Sequence, residues 1–262
     1  MDTAPQAEAA YQPSRSLPAR IGRRLVQWRS ASPFSAAPPQ AMVSFTFDDF
    51  PKSAADTGAE IVEEVGARAC YYACSSMAGT RTVCGEMFDD RDLAALSRAG
   101  HEIGAHTHSH LDCARAGLDE VVSDITQGLE GLRAMGHAAP VQHFAYPFGE
   151  TRFEVKRALA GRFRSARGVL SGLNSRGNDR MQLRAVELDS DEASLPRALA
   201  AIETAMREKA WLVVFSHDVS DAPGPWGVTP AALRKVARAA RDAGAALLTP
   251  GEALKRIEGG NA

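Results

Sequence analysis

The 262-residue chain contains no apolar run approaching the roughly 20 residues that a membrane-crossing helix requires. Its opening stretch, MDTAPQAEAAYQPSRSLPAR, also lacks the apolar block of a secretory leader. Together these absences predict a cytoplasmic location with no membrane span. An excess of either charge is missing as well: 30 Lys and Arg face 32 Asp and Glu, a net charge of −2, so no global positive field exists to draw nucleic acid or anionic lipid. Cysteine is scarce, with Cys70, Cys74, Cys84 and Cys113 showing no CxxC spacing, which argues against a disulfide-stapled scaffold and predicts free thiols. Gly (22) and Pro (14) stay well below low-complexity levels, so most of the chain folds.

From residue 41 onward, short apolar runs alternate with segments of helical period. Residues 41–47, 68–73, 102–105, 142–146, 184–188, 211–216 and 245–248 read as strands. Residues 53–65, 90–99, 118–135, 152–160, 194–209 and 230–243 read as helices, several closed by Gly66, Gly100, Gly136 or Gly244. Strand and helix in alternation make a parallel sheet, and near-continuous apolar strands imply a sheet covered by helices. Two architectures satisfy this: a (β/α) barrel and an open doubly wound sheet. Residues 1–40, rich in Ala, Pro, Ser and Arg, read as an extension that is mobile or docked on the body, with a basic amphipathic turn at 21–28. Residues 41–262 then form one catalytic domain.

Chemistry-bearing residues collect where strands end. The first strand runs into Asp48 and Asp49, the third into His106, His108 and His110, the fourth into Tyr146, Pro147, Phe148 and Gly149, and a late one into Ser216, His217 and Asp218. In a parallel barrel these ends share one face, so residues distant in sequence meet over one pocket, and this favours the barrel. Three of the seven histidines fall within HTHSHLD. If the strand ends there in a helical turn, positions four apart share a face, which selects His106 and His110 as metal ligands and turns His108 aside. Two imidazoles need an anionic third ligand to make a catalytic site with an open position, and the Asp48-Asp49 pair offers one ligand and one base.

TFDD (46–49), the lead-in GHEIGAH (100–106), HTxxH (106–110), a Pro-aromatic-Gly turn (147–149) and SH (216–217) resemble, in order and spacing, the polysaccharide deacetylases of carbohydrate esterase family four. The resemblance covers about residues 42–250. It implies a distorted (β/α) barrel, a divalent metal (zinc first, cobalt or another transition ion next) and hydrolysis of N-acetyl groups on N-acetylhexosamine polymers. Carried over by position, Asp49, His106 and His110 hold the metal, Asp48 is the general base, His217 the general acid, and the Phe148 backbone N–H helps bind the oxyanion. Phe215 falls where the family places an apolar residue around the acetyl methyl. Tyr146, Phe148 and Trp226 offer flat faces for sugar near the mouth, with core packing the competing role for Phe148.

Departures from the family pattern generate further expectations. Ala145 stands where an arginine usually supports the catalytic aspartate, and Arg184 is the candidate replacement. Phe50 replaces the usual glycine after the aspartates, narrowing the pocket or altering the backbone. The usual aspartate-tryptophan signature is absent from 187–195, leaving Asp189 or Asp191 to orient His217. Two other readings compete: a barrel amidohydrolase, whose histidines would normally end the first strand, and an inactive carbohydrate-binding relative. A cytoplasmic enzyme of this kind suits a lipid-linked or nascent exopolysaccharide, as holdfast-type deacetylases are thought to do.

Overall fold

The computed structural model describes Val26 and residues 29–259. Its strands are β1 (Met42–Asp49), β2 (Ala69–Ala73), β3 (Arg81–Thr82), β4 (Gly85–Glu86), β5 (Glu102–Ala105), β6 (His143–Ala145), β7 (Ser165–Arg167), β8 (Val186–Glu187), β9 (Trp211–Ser216) and β10 (Ala246–Leu247). The main sheet runs β7-β6-β5-β2-β1-β9-β8, all parallel, with β10 beside the start of β1. Its two edges approach each other through a parallel bridge between Arg167 and Leu183, so the sheet curls into the distorted (β/α) barrel. The helices are α1 (Ala59–Glu64), α2 (Asp90–Ala99), α3 (Leu118–Ala134), α4 (Phe153–Ala160), α5 (Ser194–Glu208), α6 (Pro230–Asp242) and α7 (Pro250–Gly259). No described helix is long and apolar enough to cross a membrane.

Alternation along each strand divides the molecule into an outer and an inner face. Val43, Phe45 and Phe47 of β1, Tyr71 of β2, Val186 of β8 and Leu212 and Val214 of β9 join one buried cluster with Ala198 and Ile202 of α5 and Leu233, Val236, Ala237 and Ala240 of α6. The helix residues recur at three- and four-residue intervals, the stripe by which a helix covers a sheet. Met42, Leu183, Ala185, Trp211, Val213 and Phe215 form a second cluster on the other face, where Trp211 Nε1 donates to Ser44 Oγ at 2.9 Å. Asp48, Arg167, Glu187 and His217 fall on this inner parity at the strands' carboxyl ends.

The segment at 29–40 packs on the body: Asp179 accepts from Ala31 N and Ser32 N, each at 3.0 Å, and Phe34 meets Trp211 edge-on at 6.2 Å. Residues 1–25, 27 and 28, with most of the anticipated basic turn, lie outside the described residues. Several elements differ from the sequence reading. β7, α7 and the β3–β4 hairpin were not anticipated, and the helix expected at 53–65 begins as a wider turn over Ala54–Gly58. The cysteines are free and buried.

Candidate active site

At the end of β1 the backbone enters the left-handed region twice, at Asp49 (φ 59°) and Phe50 (φ 66°). This interrupts strand alternation and lets two consecutive carboxylates serve one pocket. Left-handed backbone is costly for residues other than glycine, and here packing holds it: Phe50 is fully buried and stacks on Phe88 at 4.4 Å, with Tyr71 at 5.1 Å. Phe50 thus belongs to the core and does not narrow the pocket; the change at this position is in the identity of a left-handed residue.

The histidine segment follows β5 as a loop, and the expected helical turn is absent. Thr107 (φ 63°) and His110 (φ 57°) are both left-handed. Asp124 of α3 anchors the loop, accepting from His108 N at 2.6 Å, Ser109 N at 3.1 Å and Ser109 Oγ at 2.7 Å. Thr107 Oγ1 accepts from Leu111 N. His108 turns away to hydrogen-bond Ser75 Oγ at 2.8 Å. His106 and His110 are brought together by these turns, with ring centroids 5.0 Å apart.

Asp49 Oδ1 lies 3.5 Å from His106 Nε2 and 3.4 Å from His110 Nε2. One ligand atom from each of the three falls within 4.8 Å of the others. Two observations show that this donor set fits a cation. Asp49 Oδ1 is buried without a hydrogen-bond partner. His106 Nδ1 donates to the Ala145 carbonyl at 2.8 Å, which leaves the Nε2 lone pair facing that oxygen. Burial pushes the His106 imidazole down to about 4 against the opposing pull of Asp48, so it remains a neutral ligand near pH 7.

Asp48, only 4% exposed, receives Nη2 of fully buried Arg167 on both carboxylate oxygens. Burial alone would raise its carboxyl, but Arg167, with His106 and His217, holds it below the usual value. Arg167 is set between rings, its guanidinium carbon 4.6 Å from the Phe215 centroid and 5.4 Å from that of Tyr72. The arginine expected to compensate for Ala145 is therefore Arg167 and not Arg184. Leu183 and Ala185 face inward, which puts Arg184 on the outer parity, where its backbone pairs with the Asn174 side chain.

Arg167 escaped detection because Ser165–Arg167 is a three-residue strand with no apolar run. A signal did exist: a β/α repeat calls for a strand soon after the helix at 152–160, and the next anticipated one began only at 184.

Other placements differ from expectation. Tyr146 is buried and donates its hydroxyl to the Met181 carbonyl at 2.9 Å, so it is a core residue and not a sugar platform. Phe215 is 2% exposed behind Arg167 and backs the guanidinium rather than presenting a face to an acetyl group. Phe148 (φ 59°) stands edge-on to His110 at 4.5 Å and is half-buried. Trp226 is half-buried with its ring 5.9 Å from that of His217. Neither Asp189 nor Asp191 hydrogen-bonds His217. Asp189 accepts from Asp191 N, and Asp191 accepts from Ala193 N and pairs with Arg197. His217 Nδ1 is buried without a partner.

A curled parallel barrel thus gathers a carboxylate, two imidazoles and a buried second carboxylate at its carboxyl end, a set that could hold a metal ion. Residues 35–161 match the family model for polysaccharide deacetylase. Over 86% of this chain the structure aligns with 92% of a chitin deacetylase from the fungal pathogen Colletotrichum lindemuthianum, at 16% identity and TM-score 0.63. It aligns with 94% of a mutant of the peptidoglycan deacetylase PdaC from Bacillus subtilis, covering 86% of this chain, at 15% identity and TM-score 0.56. BA3943, a family-four pseudoenzyme from Bacillus anthracis, aligns over 67% of its length and 84% of this chain, at 16% identity and TM-score 0.55. At such identities the likeness to these structures is one of fold. No curated protein sequence matches the chain. The family match over residues 35–161 and the fold agree: this part of the chain is similar to polysaccharide deacetylases.

Proposed function

We propose that this protein is a metal-dependent hydrolase that removes N-acetyl groups from N-acetylhexosamine units of a polysaccharide or lipid-linked oligosaccharide during the making of a surface polymer. The observation that carries the reading is the pairing of two unlike carboxylates on adjacent residues. Asp49 faces two imidazoles with an unpartnered oxygen, while Asp48 is held ionised by Arg167. A divalent ion held by Asp49, His106 and His110 supplies Lewis acidity toward the acetamide carbonyl and toward water.

The chain's own residues divide the proton work. Asp48 accepts the proton of the attacking water; held below its usual pKa by Arg167, it is ionised and so able to accept, though a weaker base for it. His217 delivers a proton to the departing amine, which would otherwise leave as an amide anion. The Phe148 N–H is assigned to the developing oxyanion, a type of contact worth about 2.7–4 kcal/mol. Trp226 stands beside His217 where a sugar ring can stack.

Elemental analysis of the purified protein, together with acetate release from N-acetylglucosamine oligomers, tests the site and the reaction. One zinc-type ion per chain and measurable acetate are expected, with His217→Ala losing turnover at unchanged metal content. Bound metal with no acetate from any oligomer would move the chain to the second reading, an inactive carbohydrate-binding relative; the Bacillus anthracis pseudoenzyme shows that this fold occurs without the activity. The biosynthetic role is tested in cells carrying Asp48→Ala, whose surface polymer should keep its acetyl groups.

A further inference from the structure

His217 Nδ1 is buried without a hydrogen-bond partner, and the ring beside it, that of Trp226, belongs to the same loop. The imidazole therefore stands where its backbone places it. β1 and β9 pair only as far as Phe47 and Ser216, which stops one residue short of both Asp48 and His217. Past that point the ladder sets no register between the two groups assigned to the proton work.

The loop that carries His217 is tied to itself. Val228 N donates to the Asp218 carbonyl at 2.8 Å, Ser220 N to the Val228 carbonyl at 3.2 Å, and Gly224 N to the Asp218 carboxylate at 2.9 Å. It holds together as a unit, so its orientation on the barrel depends on outside anchors. Toward β1 that anchor is Ser53: Val219 N, two residues past His217, donates to Ser53 Oγ at 3.1 Å. Among the described residues this is the only hydrogen bond between residues 50–58 and 217–228. Val219 is 1% exposed, so water does not reach its N–H in place of the hydroxyl. The turn that presents Ser53 is itself fixed. Ala54 N and Ala55 N both donate to the Pro51 carbonyl, Tyr71 donates its hydroxyl to the Ala54 carbonyl at 3.3 Å, and a Cβ at Gly58 would stand 3.1 Å from Phe47 and 3.2 Å from Val219.

We infer that Ser53 is a positioning residue: without touching substrate, its hydroxyl sets how far the His217 imidazole stands from Asp48 and the candidate metal ligands. The inference rests on the deacetylase reading for the part that His217 plays. A general acid works only within hydrogen-bond reach of the atom it protonates, so releasing the loop at Val219 costs the step in which the amine departs and spares substrate and metal binding.

Ser53→Ala removes the acceptor, and Ser53→Thr keeps it. With N-acetylglucosamine oligomers, Ser53→Ala should lower kcat about tenfold, part of the roughly hundredfold or more that a placed general acid supplies, with KM and chelator-competed zinc affinity within about twofold of wild type. Ser53→Thr should recover most of the rate. p-Nitrophenyl acetate, whose phenolate leaves without a proton, should be hydrolysed by Ser53→Ala at close to the wild-type rate. Equal losses on both substrates, or no loss on the oligomers, overturns the proposal. Amide hydrogen exchange gives a readout that needs no turnover: exchange at Val219 should quicken about tenfold in Ser53→Ala but not in Ser53→Thr, while the amides of β9 stay protected. Unchanged exchange at Val219 overturns the anchoring role. If the wild type releases no acetate from any oligomer, the deacetylase reading falls instead, and the exchange comparison still decides whether Ser53 holds the loop.

Discussion

Asp48 keeps its charge where almost no water reaches it, and one guanidinium makes that possible. Removing one partner of a buried ion pair costs about 3–5 kcal/mol, because the remaining charge is left uncompensated. Arg167→Met should destabilise the protein by that amount in urea unfolding and should reduce turnover, whereas Arg184→Met should change neither beyond about 0.5 kcal/mol. Equal effects of the two substitutions would separate Asp48 from Arg167. Asp48, Asp49, His106 and His110 were legible in the sequence because each stands in a short motif at the end of a recognisable strand. Arg167 was not, since nothing local distinguishes a buried arginine from the many surface arginines of this chain. Strand parity separates the two candidates, and parity is countable only once β7 and β8 are placed.

The histidine loop shows how an element can set a site without touching it chemically. α3 crosses so close to the loop that a Cβ at Gly128 would lie 2.8 Å from the Thr107 carbonyl oxygen and 2.9 Å from its carbon. Backbone cannot yield as a flexible side chain can, so Gly128→Ala must push either the helix or the loop. Because Thr107 joins the two proposed ligands, we expect metal affinity to fall roughly tenfold, the lower end of what outer-shell changes cost, with a lower melting temperature. Competition between the protein and a chelator for zinc measures the first, and unchanged affinity would show that α3 does not set the spacing of His106 and His110. Four-residue spacing pointed to the pair of histidines that the structure brings beside Asp49, but through a helical turn that the two left-handed residues replace. Other elements followed their patterns closely: 102–105, 90–99 and 211–216 were read with the bounds the structure has. α7 was missed because Pro250-Gly251 reads as a turn signal when nothing shows that it opens a helix.

Across the whole barrel, the inner parity that delivers the active site at one end delivers a second polar group at the other. Glu102 of β5, His143 of β6 and Ser165 of β7 meet beneath the start of α7. Thr249 Oγ1 and Gly251 N donate to Glu102 at 2.6 and 3.1 Å, and His143 Nδ1 hydrogen-bonds Ser165 Oγ at 2.9 Å. His143 Nε2 stands 3.6 Å from Glu102, but burial disfavours charge on both groups, driving the imidazole down to about 3 and the carboxyl upward. The arrangement packs this end of the barrel, and its signature is in acid stability. A histidine near 6.5 in the unfolded chain and about 3 when folded stabilises the fold above pH 6.5 and progressively loses that contribution as pH falls toward 3. Glu102 shifts the opposite way and offsets part of the loss as its carboxyl takes up a proton. His143→Gln keeps a partner for Ser165 while deleting the titration. The stability advantage of the wild type over this variant should therefore shrink by roughly 3 kcal/mol between pH 6.5 and 4. Urea unfolding of both proteins across that range measures it, and a pH-independent difference would mean that His143 is not held neutral by burial at this end of the barrel.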